Sequence, residues 1–392
     1  MKIVIGADSY APDINGAARF AERLANGLTA RGHQVHVVSA STDGPAGTEH
    51  ADGVTVHRLH SIRYRMHDSL RVCLPWETIP GSRRLLADLQ PDVVHVQSHM
   101  VIGRGLAYAA DQHGIPLIAT NHFMPENVFG YVPMLPRPLY RAAGRMAWRD
   151  LAGVFGRADL ITAPTPRAIQ LLQDATGLTG EAISCGIDSD RYWRATQQAG
   201  AEGDPVILFV GRLDQEKRID ELIAAFAKIP ASTGARLEIV GQGDQHDLLV
   251  RLAAELGVAD RVSFLGHVTE EQLLAAYGRS SIFCMPGVAE LQSLVTLEAM
   301  SAGKPVVAAN AMALPHLVKP GHNGWLYAPG DIGELALRLS TLVADPGLRR
   351  RMGQHSREIV LAHDFGATLD RFETIYARVA ARRSVPLLSR AA

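Results

Sequence analysis

Met285 to Ala308 reads MPGVAELQSLVTLEAMSAGKPVVA. Two glutamates, Glu290 and Glu298, bracket seven residues, and the second lies in a run, Leu294 to Ser301, of good helix formers without Gly or Pro. Ahead of it, Ser281-Ile282-Phe283-Cys284-Met285 is a short apolar run stopped by Pro286-Gly287, and Val306-Val307-Ala308 is another after Gly303-Lys304-Pro305. The stretch therefore reads strand, loop, helix, strand, with one carboxylate before the helix and one within it. Ligands of open α/β sheets bind at the carboxyl ends of strands, and the free N–H groups of a helix start favour anions. A phosphate-bearing ligand suits such a junction.

The same rhythm extends to both sides. Downstream of 204, the runs Val206 to Val210, Leu237 to Val240 and Val262 to Leu265 alternate with helical stretches Ile219 to Ala227 and Gln245 to Leu256. Upstream, strands are predicted at Lys2 to Gly6, Gln34 to Ser39, Val54 to His57, Val93 to Val96, Ile115 to Thr120, Leu160 to Ala163 and Glu181 to Ser184, with helices such as Ala17 to Arg31 and Ser82 to Leu89. Alternating βα units imply mainly parallel, doubly wound sheets. At 392 residues the chain is too long for one ordinary core. The expected architecture is α/β, with two doubly wound, Rossmann-like domains facing each other across a cleft. A polar stretch from Ala195 to Gly203 suggests a linker, giving domains at 1–195 and 204–365, and a final helical segment, 366–392, that ends the second domain or crosses back onto the first.

Hydrophobic residues make up 47% and charged residues 20%, as in ordinary globular proteins, and the net charge of -1 argues against bulk attraction to nucleic acid. Cys73, Cys185 and Cys284 are far apart, which suggests neither a disulfide framework nor a zinc cluster. The start, Met1 to Gly6, reads as a first strand rather than a signal peptide, and no run reaches the ~20 apolar residues that span a bilayer. A cytoplasmic protein is expected, soluble or resting on the inner face of the membrane.

Candidate chemistry collects in the loops. Gly211-Arg212-Leu213-Asp214-Gln215-Glu216-Lys217 lies between a strand and a helix and offers a bidentate Arg212 and a point charge, Lys217, to phosphate; the alternative is surface pairing with Asp214 and Glu216. Asn15-Gly16 lies at the first strand-to-helix turn, where glycine lets backbone amides approach a ligand. His122 follows the strand ending at Thr120, as a base, a donor to a ligand oxygen, or a strand-end histidine with local partners. His95, His99 and His122 match no zinc signature. Asp188-Ser189-Asp190 is formally a DxD but sits in the expected linker, and Gly241-Gln242-Gly243 lacks the third glycine of a dinucleotide fingerprint.

Taken together, the first-loop glycine, His122, the Arg212/Lys217 pair and Glu290 ahead of Glu298 in an LEAM helix resemble the retaining nucleotide-sugar glycosyltransferases of the GT-B fold, family four, over nearly the whole chain. The family includes lipid mannosyl- and glucosyltransferases. The resemblance implies that Arg212 and Lys217 bind the donor diphosphate and that Glu298 binds the ribose hydroxyls. It implies sugar-hydroxyl contacts for Glu290, backbone contacts from Gln292, Ser293 and Leu294, and a base cradle at Gly266-His267-Val268. Gly16 would approach the phosphate and His122 the donor sugar. No metal and no other cofactor is implied. Two departures stand out: Leu291-Gln292-Ser293 replaces the usual Ser-Phe-Gly, and Gly16-Ala17 replaces a glycine pair.

The expected activity is retaining transfer of a hexose from a UDP- or GDP-sugar, by same-face substitution, to an acceptor. Arg137, Arg141, Arg145 and Arg149 recur every four residues, near Phe129, Tyr131, Met134, Leu135, Leu139, Tyr140 and Trp148, which suits an interfacial helix on anionic lipid if 138–151 is helical, the alternative being a solvated arginine face on a helix packed against its own domain. A second basic cluster is Arg58, Arg63, Arg65 and Arg71, interleaved with Ile62, Tyr64 and Met66. A membrane glycolipid acceptor is therefore preferred over a soluble sugar, cyclitol or secondary metabolite. The rivals are an epimerase or phosphorylase of the same fold, and a non-catalytic nucleotide-sugar-binding protein.

Overall fold

The structure is a computed structural model that describes residues 1–13, 15–64, 71–124, 139–198 and 203–383. Two compact units divide the chain: Met1–Ser184 with the segment from Gly366 onward, and Cys185–Phe365. The division falls between Ser184 and Cys185. The linker expected after Ala195 lies partly outside the described residues, and the helix Ser189–Gln198 before it belongs to the second unit. Its aromatic residues explain that allegiance: Tyr192 meets Tyr277 edge-on at 5.6 Å, and Trp193 stacks under the Arg357 guanidinium at 3.7 Å.

The first unit carries β1 (Lys2–Gly6), β2 (Gln34–Ala40), β3 (Gly47–Ala51), β4 (Val54–Leu59), the short ribbon β5 (Ser61–Arg63) and β6 (Arg71–Cys73), then β7 (Val93–Val96), β8 (Leu117–Thr120), β9 (Leu160–Ala163) and β10 (Glu181–Ala182). Its main sheet runs β10-β9-β8-β7-β1-β2-β4-β3, parallel except for β3, which pairs antiparallel with β4. β3 was not foreseen, because GTEHA is exposed along its whole length and carries no apolar alternation. The helix expected from Ser82 starts earlier, at Pro75, with Pro80 inside it. Among the described residues, no helix is long and apolar enough to cross a membrane.

The helix Phe365–Arg383 packs on this first unit. Phe372 and Tyr376 are fully buried there, and the Tyr376 hydroxyl lies 2.7 Å from His95 Nδ1. Arg31 reaches Asp370 and Glu373 at 2.6 and 2.5 Å, and Glu181 pairs with Arg371 and Arg378 at 2.5 and 2.6 Å.

The second unit carries β11 (Val206–Val210), β12 (Arg236–Val240), β13 (Val262–Gly266), β14 (Ile282–Met285), β15 (Val306–Ala309) and β16 (Gly324–Tyr327). All pairings are parallel and the order is β13-β12-β11-β14-β15-β16. Numbered within the unit this is 3-2-1-4-5-6, the order whose direction reverses between its first and fourth strands and opens a crevice at their carboxyl ends. That reversal lies between β11 and β14. The strands are continuous apolar runs because helices cover both faces.

Candidate active site

The loop after β11 carries Arg212 and Lys217, and the loop after β14 carries Glu290, so both emerge where the sheet reverses. Glycines make the first loop possible. Gly211 and Gly241 have φ of +157° and +135°, and a Cβ on Gly241 would lie 1.8 Å from the Gly211 carbonyl oxygen. The β11 loop thus lies directly on the β12 loop, where the Leu213 amide donates to the Gln242 carbonyl at 2.9 Å and the Gln245 amide to the Leu213 carbonyl at 3.0 Å. The Gly241-Gln242-Gly243 sequence serves this backbone contact.

Two cations and three carboxylates meet here. Lys217 Nζ is 2.7 Å from Glu290 Oε1 and 3.5 Å from Glu216 Oε1. Arg212 reaches Asp214 at 2.6 Å and Glu216 at 3.3 Å. The Val288 amide donates to the Glu216 carbonyl at 3.0 Å, which stitches the two loops together. Gly287 leaves room for the pair, since a Cβ there would lie 3.3 Å from Glu290 Oε1 and 3.4 Å from Lys217 Cδ.

Burial pulls the Lys217 ammonium down, but attraction to Glu290 and Glu216 and the hydrogen bond to Glu290 outweigh it and hold its pKa above the ordinary value. Burial pushes the Glu216 carboxyl up, against the pull of Lys217 and Arg212.

The expected helix is Leu294–Ser301, with Ser293 at its N-cap position. No side chain caps it: the Ser293 hydroxyl instead accepts from Thr296 Oγ1 at 2.8 Å. The amides of its first turn are thereby left to other partners, which favours an anion. Gln292 turns back, accepting from the Cys185 amide at 2.8 Å, and Leu294 is half-buried against the core. Glu298 accepts from the buried Tyr277 hydroxyl at 2.7 Å, which fixes one carboxylate oxygen. Gly266, with φ of +63°, ends β13, and beyond it His267 is exposed and Val268 half-buried, at the carboxyl end of the same sheet.

Gly16 and His122 belong to the first unit. Gly16 opens the helix Gly16–Ala30, which Asn15 caps by accepting from the Ala18 amide at 2.9 Å. His122 follows β8, with Nε2 2.9 Å from Gln97 Oε1 and its ring 5.2 Å from Phe20. Burial lowers its pKa to about 4, so at neutral pH the ring is an uncharged donor or acceptor. One feature escaped sequence reasoning: Asp8, just past β1, accepts from the Ile102 and Gly103 amides at 2.8 and 3.2 Å and from the Ser98 hydroxyl. It fills the start of the helix Val101–His113, and the only trace in sequence is an acid two residues after a strand.

His95 lies between Tyr376 and Thr120 and shares Gln97 with His122, while His99 faces Phe123 at 4.6 Å; among the described residues the three do not form a metal-ligating group. Asp188 accepts from the Arg191 amide at 3.3 Å, the arrangement of a helix cap.

The two arginine clusters differ. Arg141, Arg145 and Arg149 are exposed on the helix Tyr140–Phe155, while Arg137 and the aromatic and apolar residues at 129, 131, 134 and 135 lie outside the described residues. Arg58 is buried, bonded to Glu49 and the Ala11 carbonyl and 5.7 Å from the Tyr10 ring, and Arg71 donates to Ser61. These two brace the interior. Arg63 is exposed, and Arg65 and Met66 lie outside the described residues.

Residues 193–359 match the model for glycosyl transferases group 1, and 14–191 match that for glycosyltransferase family 4. A GDP-mannose-dependent alpha-mannosyltransferase of Mycolicibacterium smegmatis is 31% identical, over 98% of this chain and 99% of its own. A D-inositol 3-phosphate glycosyltransferase of the same organism is 31% identical over 76% of this chain and 71% of its own. Among solved structures, sucrose-phosphate synthase from Thermosynechococcus elongatus superposes with a TM-score of 0.82 at 23% identity, covering 97% of this chain and 99% of that one. Anabaena HepE in complex with UDP-glucose gives 0.75 at 21%, covering 96% and 100%.

Proposed function

Because this chain belongs to family 4 of the GT-B glycosyltransferases, we propose that it transfers a hexose from a nucleoside diphosphate sugar, with GDP-mannose as donor and retention of anomeric configuration. One observation carries the reading: Arg212, Lys217 and the uncapped start of Leu294–Ser301 bring positive charge to the carboxyl edge of a 3-2-1-4-5-6 sheet, beside Glu290. The GDP-mannose dependence of the relative matched end to end favours this donor over UDP-sugars.

In the proposed reaction the bond between the anomeric carbon and the distal phosphate oxygen breaks, the acceptor hydroxyl oxygen bonds to that carbon on the same face, its proton passes to the departing phosphate oxygen, and negative charge grows on the leaving diphosphate. Arg212, Lys217 and the helix amides stabilise that charge, which is the role a divalent cation plays elsewhere, so no metal is needed for transfer. Glu290 holds sugar hydroxyls while Lys217 turns to phosphate. Glu298, one oxygen fixed by Tyr277, offers the other to the ribose. With Glu290 assigned to sugar hydroxyls, same-face substitution is favoured over a covalent glycosyl-enzyme.

The proposed acceptor is lipid-borne and the protein works at the inner face of the membrane. On the first unit, Trp76 and Met146 are each 70% exposed, and Met100 and Ile79 border a shallow apolar recess with Arg104. Arg104 bonds Asp150 at 2.5 Å on the helix that also carries exposed Arg141, Arg145 and Arg149. Exposed tryptophan and methionine beside arginines suit an anionic bilayer surface.

The direct test is thermal shift and nucleotide release with GDP-mannose, UDP-glucose and ADP-glucose. GDP-mannose is expected to raise the melting temperature most, and absence of any shift or turnover with all three overturns the reading. For the membrane, Trp76→Asp with Met146→Asp is expected to lower co-sedimentation with phosphatidylglycerol vesicles at least tenfold. Unchanged sedimentation points to a soluble acceptor.

A further inference from the structure

A second cluster of ligating side chains lies in the second unit, away from the donor loops. His322, His355 and Glu358 hold their nearest ligand atoms within 4.8 Å of one another. His355 and Glu358 are three residues apart on the helix Pro346–Val360, so they share a face. His322 comes from the turn that enters β16. That position decides where the cluster is. β16 is parallel to the rest of the sheet, so its amino end lies at the edge opposite the carboxyl ends that carry Arg212 and Glu290.

The chemistry of the donors is specific. His355 Nδ1 is 2.9 Å from the His322 carbonyl oxygen. A carbonyl only accepts, so Nδ1 donates and Nε2 is the ring nitrogen left to face a ligand. Histidines that bind metals are commonly oriented in this way, by donating the other ring N–H to a backbone carbonyl. The His322 and His355 rings stack at 3.8 Å with 14° between planes, so they are neighbours, and sharing one ion in both ring planes requires the exposed His322 ring to turn out of the stack. Two imidazoles and a carboxylate suit a first-row divalent ion of the zinc class, with water in the fourth position, and are poorly matched to magnesium or calcium.

The frame that holds them is rigid. Buried Asn323 closes the His322 turn, accepting from the Lys319 amide at 2.7 Å and donating to the Leu317 carbonyl at 3.1 Å. The neighbouring Gly324 lies so close to β15 that a Cβ would be 1.8 Å from the Val306 carbonyl oxygen. The helix is pinned to the same segment: Ser356 Oγ donates to the Lys304 carbonyl at 2.8 Å, and a Cβ on Gly353 would lie 2.0 Å from the Gly303 carbonyl oxygen. Arg357, the cation between the two helical ligands, is drawn off onto Trp193. Turn and helix thus rest on one strut, residues 303–306, so turning the exposed His322 and Glu358 side chains, without moving the backbone, is what brings three ligand atoms to one ion.

We propose that His322, His355 and Glu358 form a zinc-class metal site that clasps the turn before β16 to the helix Pro346–Val360, independent of the transfer chemistry. Titration of the untagged, chelator-treated full-length protein with ZnCl2 against a chromophoric chelator tests it, with MgCl2 as control. One zinc per chain at micromolar or tighter affinity is expected, with a higher melting temperature and no response to magnesium. His322→Gln and His355→Gln are each expected to weaken zinc binding at least tenfold, by analogy with losses seen even for outer-sphere changes, while GDP affinity stays unchanged. Absence of stoichiometric zinc binding overturns the proposal. So does a His322→Gln/His355→Gln protein that folds, as its circular dichroism shows, and binds zinc as the parent does.

Discussion

Lys217 and Glu290 are mutual partners, with side chains only 13% and 12% exposed. A diphosphate that takes Lys217 therefore strips Glu290 of its partner, and a sugar hydroxyl can replace it only if the intact donor is bound. Glu290→Gln separates these events. A charge-assisted hydrogen bond contributes about 1.5–3 kcal/mol, which is roughly 10- to 150-fold in an equilibrium constant. Transfer from GDP-mannose, as kcat/KM, should fall by about that factor, because the bond to the sugar loses its charge. Affinity for free GDP should hold or rise, because Lys217 no longer has to leave an anion. Lys217→Met should instead weaken GDP by roughly 10- to 150-fold. The Glu290→Gln protein should also lose about 1–3 kcal/mol of stability, below the 3–5 of a fully buried pair, because Glu216 at 3.5 Å still faces the ammonium. Calorimetric titration with GDP, steady-state kinetics and urea unfolding measure the three quantities. A Glu290→Gln variant that binds GDP tenfold more weakly would refute the competition argument.

Three further outcomes follow from the geometry. Gly241→Ala, which sets a Cβ 1.8 Å from the Gly211 carbonyl oxygen at φ +135°, should lower stability by about 2–4 kcal/mol and weaken GDP, while Gly81→Ala, with nothing within 4 Å, should not destabilise; equal urea midpoints for the two would contradict this. Buried His95 and His99, their pKa lowered to about 3 and about 4 by burial, stay neutral in the fold while the unfolded chain takes protons below about 6.5, so stability is lost as pH falls from 6.5 towards 4, by about 2 kcal/mol per histidine at pH 5; urea midpoints that match at pH 7 and pH 5 would sink it. Glu216, already pushed up by burial, should be raised further by a bound diphosphate, so GDP binding in mildly acidic buffer should take up protons, seen as a buffer-dependent calorimetric heat that Glu216→Gln diminishes.

The fold was legible because its signal is periodic and local. Runs such as Val206–Val210 and Ile282–Met285 are buried on both faces, so they read as apolar blocks whatever their neighbours. β3 failed for the converse reason, since an exposed edge strand needs no apolar residues. The site was legible as a list of residue types at strand ends, and the sheet order brings Arg212, Lys217 and Glu290 to one point. Their pairing was not legible, because Lys217 and Glu290 are 73 positions apart and their distance is set by Gly287 and by the Val288–Glu216 backbone bond. The resemblance assigned Glu290 to neutral hydroxyls, yet without donor it is held by a cation. The two statements describe two occupants of one carboxylate. With two cations against three carboxylates, each cation already has anionic partners, so a lone phosphate gains little by entering. A ligand that brings phosphates for Lys217 and hydroxyls for Glu290 together replaces both halves of the pair. On the proposed function, the carboxylate that looks misplaced beside an anion site would make the site prefer the intact donor to the nucleotide it leaves behind.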